Sequence, residues 1–146
     1  MPISYIELER VAPQGFVVIV PENGTLVFDT IIADEGTMIS YNINTGTITF
    51  NEAGFYYIDW FVAPVYGLTS DGSNWAVRTG QSQLTLIGSS HAKVSVTTGF
   101  AIIEAEAGET AQLINVSDGA INLSQAVKSK AGLVVYNVAT QVTSRD

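Results

Sequence analysis

The residues that could do chemistry are few, and the first group surrounds the single histidine. His91 follows Ser89 and Ser90 in a polar segment, and serine, histidine and an acid are the members of a hydrolytic triad. Nothing around either serine resembles the nucleophile elbow that presents a catalytic serine. Zinc needs several His or Cys ligands, and the chain has one His and no Cys. The sequence therefore predicts a protein that is not an enzyme and has no cofactor.

The second group consists of carboxylates in predicted turns, at Asp34, Glu35, Asp71 and Asp118. Calcium binds oxygen ligands, so such turns could hold it if they converged. None of them has the spacing of an EF-hand loop, and an acid before a glycine is ordinary turn chemistry. We expect no metal site, and calcium remains the open alternative.

Charge restricts the partners that the chain can have. Its 146 residues carry 14 acidic side chains against 6 Lys and Arg, a formal net charge of −8. Binding to nucleic acid depends on contacts between cationic side chains and phosphates, and anionic membranes also attract cationic side chains. No apolar run approaches the roughly 18–20 residues of a membrane-spanning helix. We expect neither nucleic acid nor membrane insertion.

Composition points to self-association. Apolar residues make up 47% of the chain and charged residues 14%, against about 25% charged in an average soluble domain. A single domain of this size has few polar groups with which to cover its surface. Burial against identical copies would remove the excess apolar surface from water.

The elements that must position these groups are short apolar segments separated by turn signals. We predict about ten strands and hence an all-β sandwich or barrel. The predicted domain covers residues 15–139, after an N-terminal arm at 1–14 and before a tail at 140–146. The strands are predicted at 15–20, 25–32, 37–42, 47–50, 55–62, 75–79, 82–87, 93–103 with a break near Thr98, 110–116, 121–127 and 132–138.

Two of these strands are apolar on both faces. Side chains alternate between the faces of a strand, and an antiparallel sheet with one wet face should alternate apolar and polar residues. The segments 55–62 and 132–138 do not alternate in this way, because both of their faces carry mostly apolar residues. Either another copy of the chain or a loop of the same chain must cover the second face. In the first segment the two sets are Tyr56, Ile58, Trp60 and Val62, and Phe55, Tyr57, Asp59 and Phe61.

The segment 28–60 resembles the signature of complement subcomponent 1q globular heads, which are relatives of the tumour-necrosis-factor fold. Ile58 departs from the usual Phe, and the gap from Phe50 to Gly54 is short. The cysteine-free, Thr-, Val- and Ile-rich texture resembles the bacterial branch, the C-terminal heads of collagen-like spore-surface glycoproteins. The matching residues are Phe28-Asp29, Asp34-Glu35-Gly36, Tyr41-Asn42, Thr45-Gly46, Phe50, Gly54, Tyr56, Ile58 and Trp60, with Ala107-Gly108-Glu109, Leu113 and 132–136 later in the chain.

This resemblance implies a two-sheet antiparallel jelly roll of about ten strands, three copies of which pack around an axis. The axial sheet would contain the strands at 55–62, 110–116 and 132–138. It implies a homotrimerising structural head that caps a fibrous or collagen-like surface protein of a bacterium or spore, outside the cell. The expected trimer contacts are Phe55, Tyr57, Phe61, Ile114 and Tyr136.

A ligand-binding head on the same fold, lectin-like or phage receptor-binding, is the alternative. The polar stretch 67–74 precedes Trp75, and an aromatic ring beside a polar loop suits stacking on a surface glycan or contact with a receptor. Asp71, Asn74 and Trp75 are the candidate ligand residues. Trp75 can equally begin a strand and be buried.

Overall fold

The computed structural model describes residues 4–13, 16, 18–64, 73–80, 85–92, 96–124 and 126–140. Twelve strands and no helix occur in these ranges. The strands are β1 Tyr5–Arg10, β2 Val18–Val20, β3 Thr30–Glu35, β4 Ile39–Asn42, β5 Thr47–Phe50, β6 Gly54–Val62, β7 Ser73–Thr79, β8 Thr85–Ala92, β9 Thr97–Ala105, β10 Glu109–Asn115, β11 Ile121–Leu123 and β12 Ala131–Thr140.

Two five-stranded sheets hold ten of these strands. The first sheet has the order β3-β1-β12-β6-β9, and the second has the order β4-β5-β10-β7-β8. A separate pair joins β11 to β2, and every strand pairing is antiparallel. The predicted all-β sandwich of about ten strands is confirmed.

The core lies between the two sheets, and β6 shows how one face of a strand enters it. In β6 burial alternates strictly, and Tyr56, Ile58 and Trp60 are at most 1% exposed. The ring of Phe50, from the second sheet, lies 4.3 Å from the ring of Tyr56. Each large apolar side chain buried in this way contributes about 1.5–3 kcal/mol. The period-2 burial of β6 thus places one set of its side chains in the core and leaves the other set outside it.

The first strand corrects the prediction of an N-terminal arm. β1 lies between β3 and β12, and Ile6 and Leu8 are at most 1% exposed. The alternation of Ile6 and Leu8 with Glu7 and Glu9 is the signal of a half-buried strand. Residues 5–10 are therefore part of the sandwich. Residues 141–146 of the predicted tail lie outside the described residues.

Several strand limits also differ from the prediction. β3 runs to Glu35, so Asp34 and Glu35 lie in a strand rather than in a turn. β8 extends through His91, which is paired with Asn74 rather than placed in a loop. β9 is unbroken at Thr98. In each case backbone pairing with a neighbouring strand continues through residues whose polarity alone suggested a turn.

The residues of the family-like signature hold turns and sheet junctions. Both carboxylate oxygens of Asp29 accept hydrogen bonds from backbone N–H groups, of Val11 at 2.9 Å and of Ala12 at 2.8 Å. Burial acts to raise the pKa of Asp29, but these bonds outweigh it and hold the pKa below its usual value. Asn42 accepts from the N–H of Asn44 at 2.9 Å, and Gly46 adopts a φ of +75°.

Tyr41 joins the two sheets. The N–H of Phe28 donates to the Tyr41 hydroxyl at 2.8 Å, and this hydroxyl donates to the Phe28 carbonyl at 2.8 Å. Phe28 is buried and leads into β3 of the first sheet, whereas Tyr41 belongs to β4 of the second. Burial raises the pKa of Tyr41 to about 12.

Candidate interaction surface

The outer face of the first sheet carries several of the large apolar side chains that are exposed among the described residues. We call it the front face. Its apolar members include Phe100 at 63% exposure and Ile102 at 59%, both on the edge strand β9, with Tyr136 at 38% and Tyr5 at 36%. The outward side chains are Tyr5, Glu7, Glu9, Phe55, Tyr57, Asp59, Phe61, Thr98, Phe100, Ile102, Glu104, Val134 and Tyr136.

A row of apolar side chains crosses four strands of the front face. Strand register places Tyr5 opposite Tyr136, Tyr136 opposite Tyr57, and Tyr57 opposite Ile102. The ring of Tyr57 lies 5.2 Å from that of Tyr136 and 6.1 Å from that of Phe100. Aromatic rings at such distances attract each other beyond their burial. The row is therefore an ordered apolar surface.

Beside the aromatic row lies a hollow with acidic walls. The next register row is Glu7, Val134, Asp59 and Phe100 across β1, β12, β6 and β9. Three residues of this row, Glu7, Val134 and Asp59, line a depression of about 400 Å³. Glu9, Ile32, Phe61 and Gly132 also line it. We call it the hollow.

Gly132 supports the floor of the hollow. A Cβ atom at this position would lie 2.4 Å from Cε1 of Phe61 and 3.0 Å from its Cζ. The Phe61 ring therefore covers the backbone of the neighbouring strand, and a side chain at position 132 would require the ring to shift. This explains why the apolar strand 132–138 begins with a glycine.

The front face is acidic as well as apolar. Its carboxylates include Glu7, Glu9, Asp59 and Glu104, and none of its described outward side chains is basic. The Tyr57 hydroxyl donates to Oδ2 of Asp59 at 3.1 Å. Desolvation, followed by this hydrogen bond and the charge of Asp59, raises the pKa of Tyr57. The phenol therefore remains neutral at neutral pH.

The structure brings together four of the five expected contact residues. Phe55, Tyr57, Phe61 and Tyr136 all point outward on the front face. Ile114 does not, because β10 lies in the second sheet, where Ile114 is 1% exposed. The prediction that 110–116 belongs to the same sheet as 55–62 and 132–138 is wrong, since β9 occupies that place beside β6.

Sequence reasoning missed Tyr5, Phe100 and Ile102. In β9 the buried residues Ala101, Ile103 and Ala105 alternate with exposed ones. The apolar Phe100 and Ile102 stand where a wet face would carry polar residues. The same two-sided pattern that singled out 55–62 was therefore present in this strand.

The candidate ligand residues do not form an exposed aromatic site. Trp75 is 0% exposed, and its Nε1 donates to Oγ of Ser73. The backbone N–H of Asn74 donates to Oγ of Ser117 at 2.8 Å. Asp71 lies outside the described residues. A glycan could not stack on the Trp75 ring, because the core encloses it.

Within the described ranges no three His, Cys, Asp or Glu side chains are grouped so that they could hold a metal ion. Among the same residues, no helix has the length and apolarity to cross a membrane.

Comparison with known proteins identifies the fold. No protein family model matches the chain, and no curated protein matches it either. Murine APRIL at pH 8.5 superposes with a TM-score of 0.69 at 11% identity, over 93% of this chain and 99% of that one. Eiger TNF from S. frugiperda gives a TM-score of 0.70 at 10% identity, over 100% and 99%. The globular domain of zebrafish complement 1qA protein gives 0.59 at 15% identity, over 97% of each chain. The chain therefore has the all-β, jelly-roll fold shared by tumour-necrosis-factor-like proteins and the complement 1q globular domain.

Proposed function

We propose that this chain is a homotrimeric, non-enzymatic head domain whose front face packs around a three-fold axis. The observation that carries the proposal is the exposed apolar surface of the first sheet, centred on Tyr57, Tyr136, Phe100 and Ile102. A monomer rarely leaves such a surface in water. Each large apolar side chain covered on assembly contributes about 1.5–3 kcal/mol.

The distribution of these residues favours a closed ring. Phe100 and Ile102 are on the edge strand β9, whereas Tyr5 and Tyr136 are on β1 and β12, further into the sheet. A contact between two different patches repeats from copy to copy and closes only when the rotation fits. In the proposed trimer, β9 of one copy packs against β1 and β12 of the next.

The proposed role follows from this assembly. Three chains held at one end would fix the register of a fibrous stalk and expose their loops to the surroundings. The resemblance to complement 1q heads of the bacterial branch supports a head that caps a fibrous or collagen-like protein on a bacterial or spore surface. A graft tests this role: a collagen-like Gly-x-y segment fused to the chain should melt at a higher temperature than the same segment alone.

A pair of matched variants tests the trimer. Ile102 on the front face is 59% exposed, and Ile19 on β2 is 62% exposed. The wild-type chain should have a mass near three times 15.6 kDa by light scattering at micromolar concentration. Ile102→Glu should shift the protein to monomer, because a carboxylate then faces the next copy, whereas Ile19→Glu should remain trimeric.

Circular dichroism should show that both variants keep their strands. A wild-type chain that is monomeric at micromolar concentrations would refute the proposed trimer. An Ile102→Glu variant that is folded and trimeric would refute the use of this face.

A further inference from the structure

Two carboxylates stand in the middle of the front face. Glu7 and Asp59 flank Val134 from the strands on either side of it, so their Cα atoms are roughly 10 Å apart at the usual strand spacing. Both side chains are exposed in the single chain and line the hollow. This register row is next to the aromatic row, so a second copy packed on the aromatic row would approach both carboxylates.

Each neighbouring strand adds acidic or phenolic groups. These are Glu35 and Asp34 on β3, Tyr5, Glu7 and Glu9 on β1, Tyr136 on β12, Tyr57 and Asp59 on β6, and Glu104 on β9.

The basic side chains of the described residues are occupied or located elsewhere. Arg10 donates to the carbonyls of Ala12 and Val27, Arg78 to Gln112, and Lys130 to the carbonyl of Ser124. Lys128 is exposed in the connection between β11 and β12. Among the residues that the structure describes, the front face therefore supplies no cation to pair with Glu7 or Asp59.

Covering the face has two electrostatic consequences. It removes carboxylates from water, which disfavours their charged form. It also brings like charges from three copies towards one axis, where they repel each other. Proton binding removes both penalties.

From this geometry we infer that assembly through the front face is coupled to proton uptake at Glu7 and Asp59, so that the trimer is tighter in mild acid than at neutral pH. The inference rests on the proposed trimer. Its sign follows from linkage: a carboxyl that binds a proton more readily in the trimer than in the monomer stabilises the trimer as pH falls, and this advantage is lost as pH rises. Uptake of one proton per chain would change the trimer association constant by about 10³ per pH unit.

Sedimentation equilibrium at constant ionic strength, at pH of about 5, 6 and 7.5, tests the coupling. The wild-type association constant should increase steadily towards acid. Asp59→Asn and Glu7→Gln should each trimerise at least about tenfold more tightly than wild type at the highest pH, and show a smaller dependence on pH. Glu22→Gln is the control, since Glu22 is exposed in the turn before Gly24, outside the front face, and it should behave as wild type.

Three outcomes would overturn the inference. A trimer whose association constant is equal at all three pH values would show that the carboxylates stay hydrated in the assembled hollow. A trimer that weakens in acid, and weakens further in Asp59→Asn, would show that a basic side chain of the next copy, such as Lys128, pairs with them. A chain that is monomeric at every pH would instead overturn the proposed trimer, and this inference with it.

Discussion

The outer faces of the two sheets differ although both are built from antiparallel strands of similar length. On the front face, Tyr57 contacts the rings of Tyr136 and Phe100. On the outer face of the second sheet, which we call the back face, polar side chains form a chain of hydrogen bonds. Arg78 donates to Oε1 of Gln112 at 3.2 Å, and Nε2 of Gln112 donates to Oγ1 of Thr47 at 3.1 Å.

The two outer faces show how a sandwich can separate a solvent-facing surface from a surface suited to another chain. Half-buried threonine, glutamine and arginine side chains on the back face satisfy one another and remain compatible with water. Aromatic and aliphatic side chains on the front face do not gain from water. Both faces have the same strand framework, so the outward-facing residues alone determine whether a face is polar or apolar.

The largest expected effect comes from Gly132, under the front face. Gly132→Ala should lower the free energy of unfolding by about 1–3 kcal/mol, because the new methyl group overlaps the Phe61 ring. Chemical denaturation measures this change. The double variant Gly132→Ala with Phe61→Ala should lose less than the sum of the two single changes. Additive losses would show that the cost of Gly132→Ala does not come from the Phe61 ring.

The next effect concerns Tyr41, the link beneath both faces. Tyr41→Phe removes a hydroxyl that bonds the N–H and the carbonyl of Phe28, at a cost of about 1–2 kcal/mol. Since burial raises the pKa of Tyr41 to about 12, wild-type stability should fall as pH rises from the ordinary tyrosine value to that pKa.

The variant should lack this part of the alkaline loss, which denaturation at several pH values would detect. Trimer association should not change, because the hydroxyl lies on neither outer face. Equal alkaline sensitivity in both proteins would assign the loss to another group.

The smallest effect belongs to the back face. Gln112→Ala breaks the hydrogen bonds to Arg78 and Thr47 and should cost about 0.5–1 kcal/mol, since water replaces them. Thermal denaturation measures the cost, and light scattering should show an unchanged mass. A change in oligomeric state would mean that the back face also takes part in assembly, so the two faces would not differ in this respect.

Much of the fold was accessible from short-range patterns. Alternation divided 55–62 into two sets of side chains, because successive side chains must point to opposite faces, but both sets are largely apolar and the pattern did not decide which one is buried. The signature around Phe28, Tyr41 and Gly46 predicted the fold, and the structure shows why: these residues make turns and sheet junctions. They carry no information on a ligand or partner.

Other features were not accessible in this way. The alternation of Ile6 and Leu8 in β1 was overlooked because the segment is short and charged. The loop position assigned to His91 was wrong, since β8 pairs with β7 through polar residues. The prediction for Trp75 divided between a ligand contact and burial, and only packing placed it in the core.

The all-β class, the alternation within each strand and the excess of apolar side chains on two strands could be predicted from the sequence. Those are properties of neighbouring residues, set by backbone geometry and composition. The position of β9, and not β10, beside β6 depends on the whole fold, and with it the finding that Phe100 and Ile102 complete the front face while Ile114 does not. The reason is physical: strands with similar inward patterns can join either sheet, and their partners are selected by how the whole chain closes its long connections and buries one common core.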